Sequence, residues 1–137
     1  MTFRTTLKVR FGDEDHAQIV YYPRFFHFFH CAFEDFFDQQ GHPYRLCLDE
    51  GVGWPAVHAE ADYARPVRFG DELVIDVSIE RLGRTSATFL YVGTRAGDEA
   101  PCVRGKIVVA CLDMQAFTSR EIPEKYRALF EKHVVGA

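Results

Sequence analysis

Residues 23–41 read PRFFHFFHCAFEDFFDQQG, and the fold turns on what this stretch must be. Proline is favoured at the first position of a helix, where its missing N–H would have no intrahelical partner. A helix is therefore expected to start at Pro23 and to stop near Gly41, ahead of Pro43. At about 100° per residue, His27, Cys31, Glu34, Asp35 and Asp38 fall within a stripe roughly 100° wide, and most other positions up to Phe37 are Phe. A helix apolar around most of its circumference is surrounded by protein. The rest of the chain has to wrap it.

Upstream, residues 6–11 (TLKVRF) place Leu7, Val9 and Phe11 on one face and Lys8 and Arg10 on the other. This is the period-two pattern of a half-buried strand, ending at Gly12-Asp13. Downstream lie four long strand patterns: PAVHAEADYARP from Pro55, ELVIDVSIERL from Glu72, TSATFLYVGTR from Thr85 and CVRGKIVVACLDM from Cys102. In the second of these, Leu73, Ile75, Val77 and Ile79 share a face. Gly70-Asp71, Leu82-Gly83 and Ala96-Gly97-Asp98 carry turn chemistry, which favours an antiparallel meander over a parallel sheet with crossover helices. After Met114, IPEKYRALFEKH reads as a short amphipathic helix with Pro123 near its start. One strand, one long buried helix and four long strands give an α+β fold, a strongly curved antiparallel sheet folded around one central helix.

At 137 residues the chain fits one domain, 1–137, since domains typically run to roughly 100–150 residues. With 47% apolar residues, global disorder is excluded. A formal charge of −4 argues against nucleic acid as the main partner, because phosphate binding needs a basic surface. The opening MTFRTTLKVRFGDED has no apolar leader region, and no window approaches the roughly 18 apolar residues of a transmembrane helix. A cytoplasmic protein without membrane association is expected. Cys31, Cys47, Cys102 and Cys111 are scattered without CxxC pairing, which suggests neither a zinc nor a redox motif; they read as reduced packing residues.

Just before the aromatic helix, Asp13, Glu14 and Asp15 form a run of three carboxylates. The first N–H groups of a helix lack intrahelical partners and together carry about half a positive charge. If the loop folds back, a carboxylate and a free N–H can converge on one carbonyl group. Because Pro23 has no N–H, that of Tyr22 is the leading donor. Such a pair suits acyl transfer: the carboxylate attacks the carbonyl or activates water, and the helix end stabilises charge on oxygen. A thioester fits best, since thiolate leaves without an obligatory general acid. The competing reading is a solvated acidic turn that complements the helix dipole.

The run Gly12 to Pro23, GDEDHAQIVYYP, resembles the signature of the 4-hydroxybenzoyl-CoA thioesterase family of the hot dog fold, D-x-D-x-x-G-(I/V)-V-(Y/W)-(Y/H)-(P/A). Gly53 to Val57 (GWPAV) and Arg65 to Leu73 (RPVRFGDEL) are also similar to that family, so the likeness covers most of the chain. The resemblance implies a helix enclosed by an antiparallel sheet, dimers formed by joining sheets, with tetramers of these, and thioester sites at the subunit interface. It places the catalytic carboxylate on Asp15 and the carbonyl-polarising N–H on Tyr22. Two positions depart from the pattern: His16 stands where proline or alanine is frequent, and Gln18 where glycine is usual. Gln18 is a candidate to reshape the loop or to line the acyl pocket, and His16 to act as a second titrating group beside Asp15. Tyr at position 22 favours aromatic acyl groups.

Other candidates follow from position. His58 and Glu60 share a strand face; they either look at solvent or, with the strand across a dimer interface, approach the thioester. The resemblance places Arg84 in a basic stretch that contacts the CoA nucleotide, with Thr85 and Ser86 beside it as hydrogen-bonding groups for pantetheine or water. Arg65, Arg68 and Arg104 are secondary cations. Trp54 is either an aromatic wall of the acyl pocket or a cap on the long helix. His27 and His30 lack the companions of a metal motif and read as stripe or packing residues.

Together these readings give an acyl-CoA thioesterase that splits an aromatic acyl-CoA into the free acid and CoA, acts as a homodimer or homotetramer, and requires neither metal nor redox cofactor. Two rivals are weighed: a hydratase or dehydratase of the same fold, and a noncatalytic acyl-CoA binder. The hydratase Asp-x4-His pattern is absent, because Val20 occupies its His position counted from Asp15. The carboxylate at Asp15 speaks against the binder.

Overall fold

In the computed structural model, which describes residues 1–135, the aromatic stretch forms helix α1 (Arg24–Gln39) with Pro23 as its N-cap, one residue later than expected. Phe25, Phe28, Phe29, Ala32, Phe33, Phe36 and Phe37 are buried, while His27, Glu34 and Asp38 face solvent. The helix ends in a Schellman motif. Gly41 takes a positive φ of 76°, Gly41 N–H donates to Asp38 O at 3.0 Å, and His42 N–H donates to Phe37 O at 3.1 Å.

Around α1 the chain builds β1 (Phe3–Lys8), α2 (Tyr44–Asp49), β2 (Val52–Gly53), β3 (Ala56–Tyr63), β4 (Glu72–Leu82), β5 (Ser86–Arg95), β6 (Val103–Ala110), β7 (Leu112–Asp113), β8 (Thr118–Ser119) and α3 (Glu124–Glu131). Five strands form one antiparallel sheet in the order β1-β4-β5-β6-β3, and β2-β7-β8 form a small second one. The architecture is the expected α+β one, a five-stranded antiparallel sheet with a central long helix. The expected meander holds for β4-β5-β6 only. β3 pairs with β6 rather than with β4, which follows it in sequence, so residues 64–71 cross the end of the sheet and β3 becomes an outer edge.

Leu73, Ile75, Val77 and Ile79 are fully buried under α1, as their alternation predicts. Phe29 stacks on Tyr91 with centroids 4.9 Å apart, and Phe33 and Phe36 meet Phe89 edge-on at 5.0 and 5.7 Å. Gly105 sits directly beneath Phe29, where any Cβ would collide with the ring. Tyr126 and Phe130 of α3 close the other end of the core.

The first strand differs from expectation. It starts at Phe3 and ends at Lys8, so Phe11 is not part of it. Val9 still pairs outside the strand, donating to Asp71 O at 2.9 Å and accepting from Gly70 N–H at 3.1 Å. Arg10 N–H then donates to the Asp13 carboxylate at 2.8 Å, closing a 3₁₀ turn over Phe11–Asp13. Phe11 swings outward, 79% exposed, and meets Phe69 edge-on at 5.8 Å. Cys47, Cys102 and Cys111 are buried and Cys31 half-buried, all as free thiols. Among the described residues no helix is long and apolar enough to cross a membrane.

Candidate active site

The three carboxylates that precede α1 have separate partners. Asp13 accepts from Arg10 N–H, lies 3.4 Å from Arg24 Nε, and offers its carbonyl to Tyr21 N–H at 2.9 Å. Glu14 accepts from Phe69 N–H at 2.9 Å and is bridged to Val20. Asp15 uses Oδ1 to accept from Ala17 N–H at 2.8 Å, and its Oδ2 has no hydrogen bond among the described residues. Glu14 Oε1 and Asp15 Oδ2 both lack a hydrogen bond among the described residues, and of the three acidic residues only Asp15 is exposed.

The loop closes on itself through Gln18 N–H to Asp15 O (3.0 Å) and Asp15 N–H to Ile19 O (3.1 Å). That closure puts Gln18 at φ 64°, in the left-handed region that a glycine adopts without a Cβ penalty. The backbone thus keeps the shape that glycine would give while carrying a side chain. Asp15, His16 and Gln18 share a concavity of about 610 Å³ with Phe11, Arg68 and Phe69.

At the helix start, Arg24, Phe25 and Phe26 N–H donate back to Tyr21 O, Tyr22 O and Pro23 O at 2.8, 3.3 and 3.1 Å. Tyr21 N–H is taken by Asp13 and Pro23 has none. Tyr22 N–H is left without an acceptor among the described residues. Tyr22 is held from its other side: Tyr63 Oη donates to its carbonyl at 3.2 Å, and the two rings meet edge-on at 6.2 Å. Partial burial, followed by the neighbouring Tyr22, pushes the Tyr63 phenol up, so it stays a donor. Tyr22 and Tyr63 share a depression with Phe25 and Arg65, next to the Asp15 concavity along the same loop.

The remaining candidates lie elsewhere on the chain. Ala59, Ala61 and Tyr63 pair with Ile107, Gly105 and Val103, the β6 residues that face α1. His58 and Glu60 pair with Val108 and Lys106, on the opposite face of the sheet, and bond each other (Nε2 to Oε1, 3.0 Å) in solvent. Arg104 shares that outer face. Arg84, Thr85 and Ser86 occupy the β4–β5 hairpin, and β4 carries them roughly 33 Å along its axis from Glu72, near the Asp15 loop. The Arg84 guanidinium lies 3.6 Å from Glu121. One chain does not bring these groups to Asp15.

Trp54 is 5% exposed and packs on Phe130 and Tyr126 at 5.2 and 5.5 Å, sealing the C-terminal end of α1. It also contributes to the wall of a separate apolar cavity. Its Nε1 is buried without an acceptor among the described residues. His30 pairs with Glu34 at 2.7 Å and His27 lies 3.6 Å from Cys31 Sγ. No cluster of potential metal ligands exists among the described residues.

Three elements of this region were not singled out from sequence: the Tyr63 hydroxyl, the exposed Phe11–Phe69 pair, and the β7–β8 hairpin. Tyr63 had a signal, since it continues the Ala59, Ala61 alternation that faces α1. The others depend on turns whose course no periodicity reveals.

Residues 9–130 match the model of a family described as the thioesterase-like superfamily. Over 119 residues the chain is 31% identical to a 1,4-dihydroxy-2-naphthoyl-CoA hydrolase of Synechococcus elongatus, covering 85% of this chain and 86% of the relative. A solved thioesterase superfamily structure from Jannaschia sp. CCS1 superposes with a TM-score of 0.89 at 31% identity, covering 97% of this chain and 93% of the other. A gentisyl-coenzyme A thioesterase superposes with a TM-score of 0.85 at 26% identity, covering 93% and 99%.

Proposed function

The chain belongs to the thioesterase-like superfamily and is an acyl-CoA thioesterase of the hot dog type, and from that premise we propose that it hydrolyses an aromatic acyl-CoA between Asp15 and the backbone N–H of Tyr22. The observation that carries the reading is the pairing of vacancies. Of three neighbouring carboxylates only Asp15 is exposed with an oxygen free of hydrogen bonds, and of the N–H groups at the start of α1 only Tyr22 lacks an acceptor among the described residues.

In the reaction the thioester oxygen accepts from Tyr22 N–H, and the negative charge that develops there is met by the helix end. Asp15 Oδ2 either adds to the carbonyl carbon or removes a proton from a water that adds. In the first route the C–S bond breaks to give a mixed anhydride and CoA thiolate, and water then cleaves the anhydride. In the second, hydroxide adds, thiolate leaves, and the proton held by Asp15 passes to it. Both routes consume one water and release the acid and CoA. The Ala17 N–H on Oδ1 holds the carboxylate in one orientation, which is where proximity contributes.

An aromatic acyl group is supported by Tyr at position 22 and by the relatives, whose names specify dihydroxynaphthoyl and gentisyl thioesters. A two-fold dimer is supported by β3. Its outer side is a long sheet edge that pairs with no strand among the described residues, a geometry that proteins ordinarily cover or pair. Pairing β3 with its copy about a two-fold axis is antiparallel, so the start of the partner's strand falls beside Tyr63. The β4–β5 hairpin follows, because Ser86 pairs with Ala110 and Ala110 N–H donates to Pro55 O. Arg84, Thr85 and Ser86 would then reach the CoA moiety from the second subunit, and a tetramer would be two such dimers.

The test is thiol release from a panel of acyl-CoAs by wild type and Asp15→Asn at matched folding and assembly. A loss of ~10²–10⁴-fold in kcat/KM is expected for the variant, with benzoyl-type preferred over hexanoyl thioesters. Hydrolysis undiminished by the substitution would refute the role of Asp15. A panel without turnover, in which CoA thioesters still raise Tm, would identify a binder instead.

A further inference from the structure

Glycine supplies most of the left-handed turns of this chain: Gly41, Gly51, Gly70 and Gly97 take φ of 76°, 79°, 95° and 93°. Among the described residues only Gln18 and Phe117 adopt a positive φ while carrying a side chain. A Cβ is disfavoured there, and residues held in this way gather at functional sites, where the side chain has a use. At Gln18 the turn is made by backbone bonds, from Gln18 N–H to Asp15 O and from Asp15 N–H to Ile19 O. The carboxamide takes no part in that closure. Glycine would make the same turn without the Cβ penalty, so the use of this side chain lies outside the turn.

The carboxamide is exposed and lines the concavity that also holds Asp15, whose Oδ2 is free of hydrogen bonds among the described residues. Asp15 and Gln18 are thus tied into one closed loop and face one space. A water that adds to a carbonyl carbon has two protons to place, and Asp15 receives one of them. The second needs an acceptor that does not compete for the proton itself. Arg68, on the same wall, offers donors only. Glu14 and His16 can each take the proton in place of Asp15. An amide oxygen accepts a hydrogen bond and leaves the proton where it is, and Gln18 supplies one.

Resting on the thioesterase reading of Asp15 and Tyr22 above, we propose that Gln18 holds the hydrolytic water. Its Oε1 accepts from one O–H of the water while Asp15 Oδ2 accepts from the other. With the water between them, Asp15 meets a proton rather than the carbonyl carbon, which selects the general-base route. Asp15 takes the proton, the water oxygen bonds to the carbonyl carbon, and the C=O electron pair moves to the oxygen bound by Tyr22 N–H. As the carbonyl reforms, the C–S bond breaks and CoA leaves as thiolate, which takes the proton from Asp15. One water is consumed, the acid and CoA are released, and no anhydride forms.

Two variants test this in the assembled protein. Gln18→Gly removes the acceptor and suits the positive φ, so its Tm is expected at or above that of wild type. Gln18→Met keeps the φ and the approximate length of the side chain and leaves only a weak sulfur acceptor. Both are expected to lower kcat ~10-fold, the order of one hydrogen bond made in the transition state, with KM within about twofold. The loss should be the same for benzoyl-CoA and hexanoyl-CoA, because both use the same water. Wild-type kcat in either variant overturns the proposal, and so does a loss confined to one acyl group, which would make Gln18 an acyl contact. Rapid quench of the first turnover is expected to show CoA and benzoate released together; a burst of CoA ahead of benzoate overturns the water route. Failure of the underlying site reading is separately visible, as undiminished hydrolysis by Asp15→Asn.

Discussion

Gly105→Ala isolates the contact on which the placement of α1 rests. A Cβ at position 105 would stand 2.7 Å from Phe29 Cζ and 2.9 Å from Cδ2, against the ~3.5–4.0 Å optimum for carbon pairs. The ring would have to move by about 1 Å, and it cannot slide without leaving its stack on Tyr91 inside a fully buried site. Overpacking of this kind costs ~1–3 kcal/mol. For a chain of this size the loss corresponds to a fall in Tm of ~3–12 °C. Urea and thermal unfolding measure it, with the slope of the urea transition unchanged if the compact state is otherwise intact. Phe29→Leu shortens the offending group, so the double variant Phe29→Leu/Gly105→Ala is expected to be more stable than the sum of the single losses allows, with a coupling of about 1 kcal/mol. A Gly105→Ala protein with wild-type Tm, or strict additivity in the double variant, would refute the claim that this glycine exists to admit the helix ring.

Three further outcomes follow from other contacts. Burial lowers the His133 imidazole while the Leu129 carbonyl partly opposes it, so the unfolded chain takes up a proton below about pH 6.5 that the folded chain resists; Tm should fall as pH drops from 7 through 6, and His133→Gln should flatten that slope. Hydrogen bonds from Lys125 and Tyr126 hold the Glu50 carboxyl below its usual range, so its contribution is complete above the ordinary carboxylate value and is lost as pH falls through the depressed one; Glu50→Gln should lower Tm at pH 7, and its difference from wild type should shrink under acid. Tyr63→Phe removes the hydroxyl that holds the Tyr22 carbonyl; one net hydrogen bond is worth about 1 kcal/mol, so kcat is expected to fall ~5-fold and Tm by ~3–4 °C, and an unaltered kcat would show that Tyr22 is positioned by its neighbours alone.

How much could be read from the residues depended on whether one-dimensional patterns carry the information. α1 was legible because Phe recurs through it between Pro23 and Gly41, both of which act through the backbone alone. The inward face of β4 was legible because alternation states which residues share a face. Alternation does not state which strand is the neighbour, so the pairing of β3 with β6 was hidden. α2 has only six residues, too few for a helical period to stand out. Phe11 continued a period-two pattern and looked like core; the Asp13 carboxylate captures Arg10 N–H and turns the chain before Phe11 can enter the sheet. Asp15 and Tyr22 were singled out, yet the distances that separate Arg84, His58 and Glu60 from them follow only from strand register.

The run of three acids has a physical division of labour. On the proposed mechanism the loop delivers a reactive carboxylate to a helix end, and it then needs its own N–H groups satisfied, or they would claim the carboxylate themselves. Asp13 satisfies Arg10 N–H by its side chain and Tyr21 N–H by its carbonyl, and Glu14 satisfies Phe69 N–H. Tyr21 is then no competitor for a substrate oxygen, and the loop is tied at once to α1 and to the segment that enters β4. Asp15 gives up only one oxygen, to Ala17 two residues on, which fixes its rotamer without quenching the other lone pairs. The same economy operates at the helix, where Arg24, Phe25 and Phe26 N–H bond back to residues 21–23 and, among the described residues, leave Tyr22 as the single donor still available there. Both vacancies are thus by-products of the surrounding bonds being complete. That makes the carboxylate and the amide sensitive to changes in Asp13, Glu14 and Tyr63, none of which needs to touch a substrate.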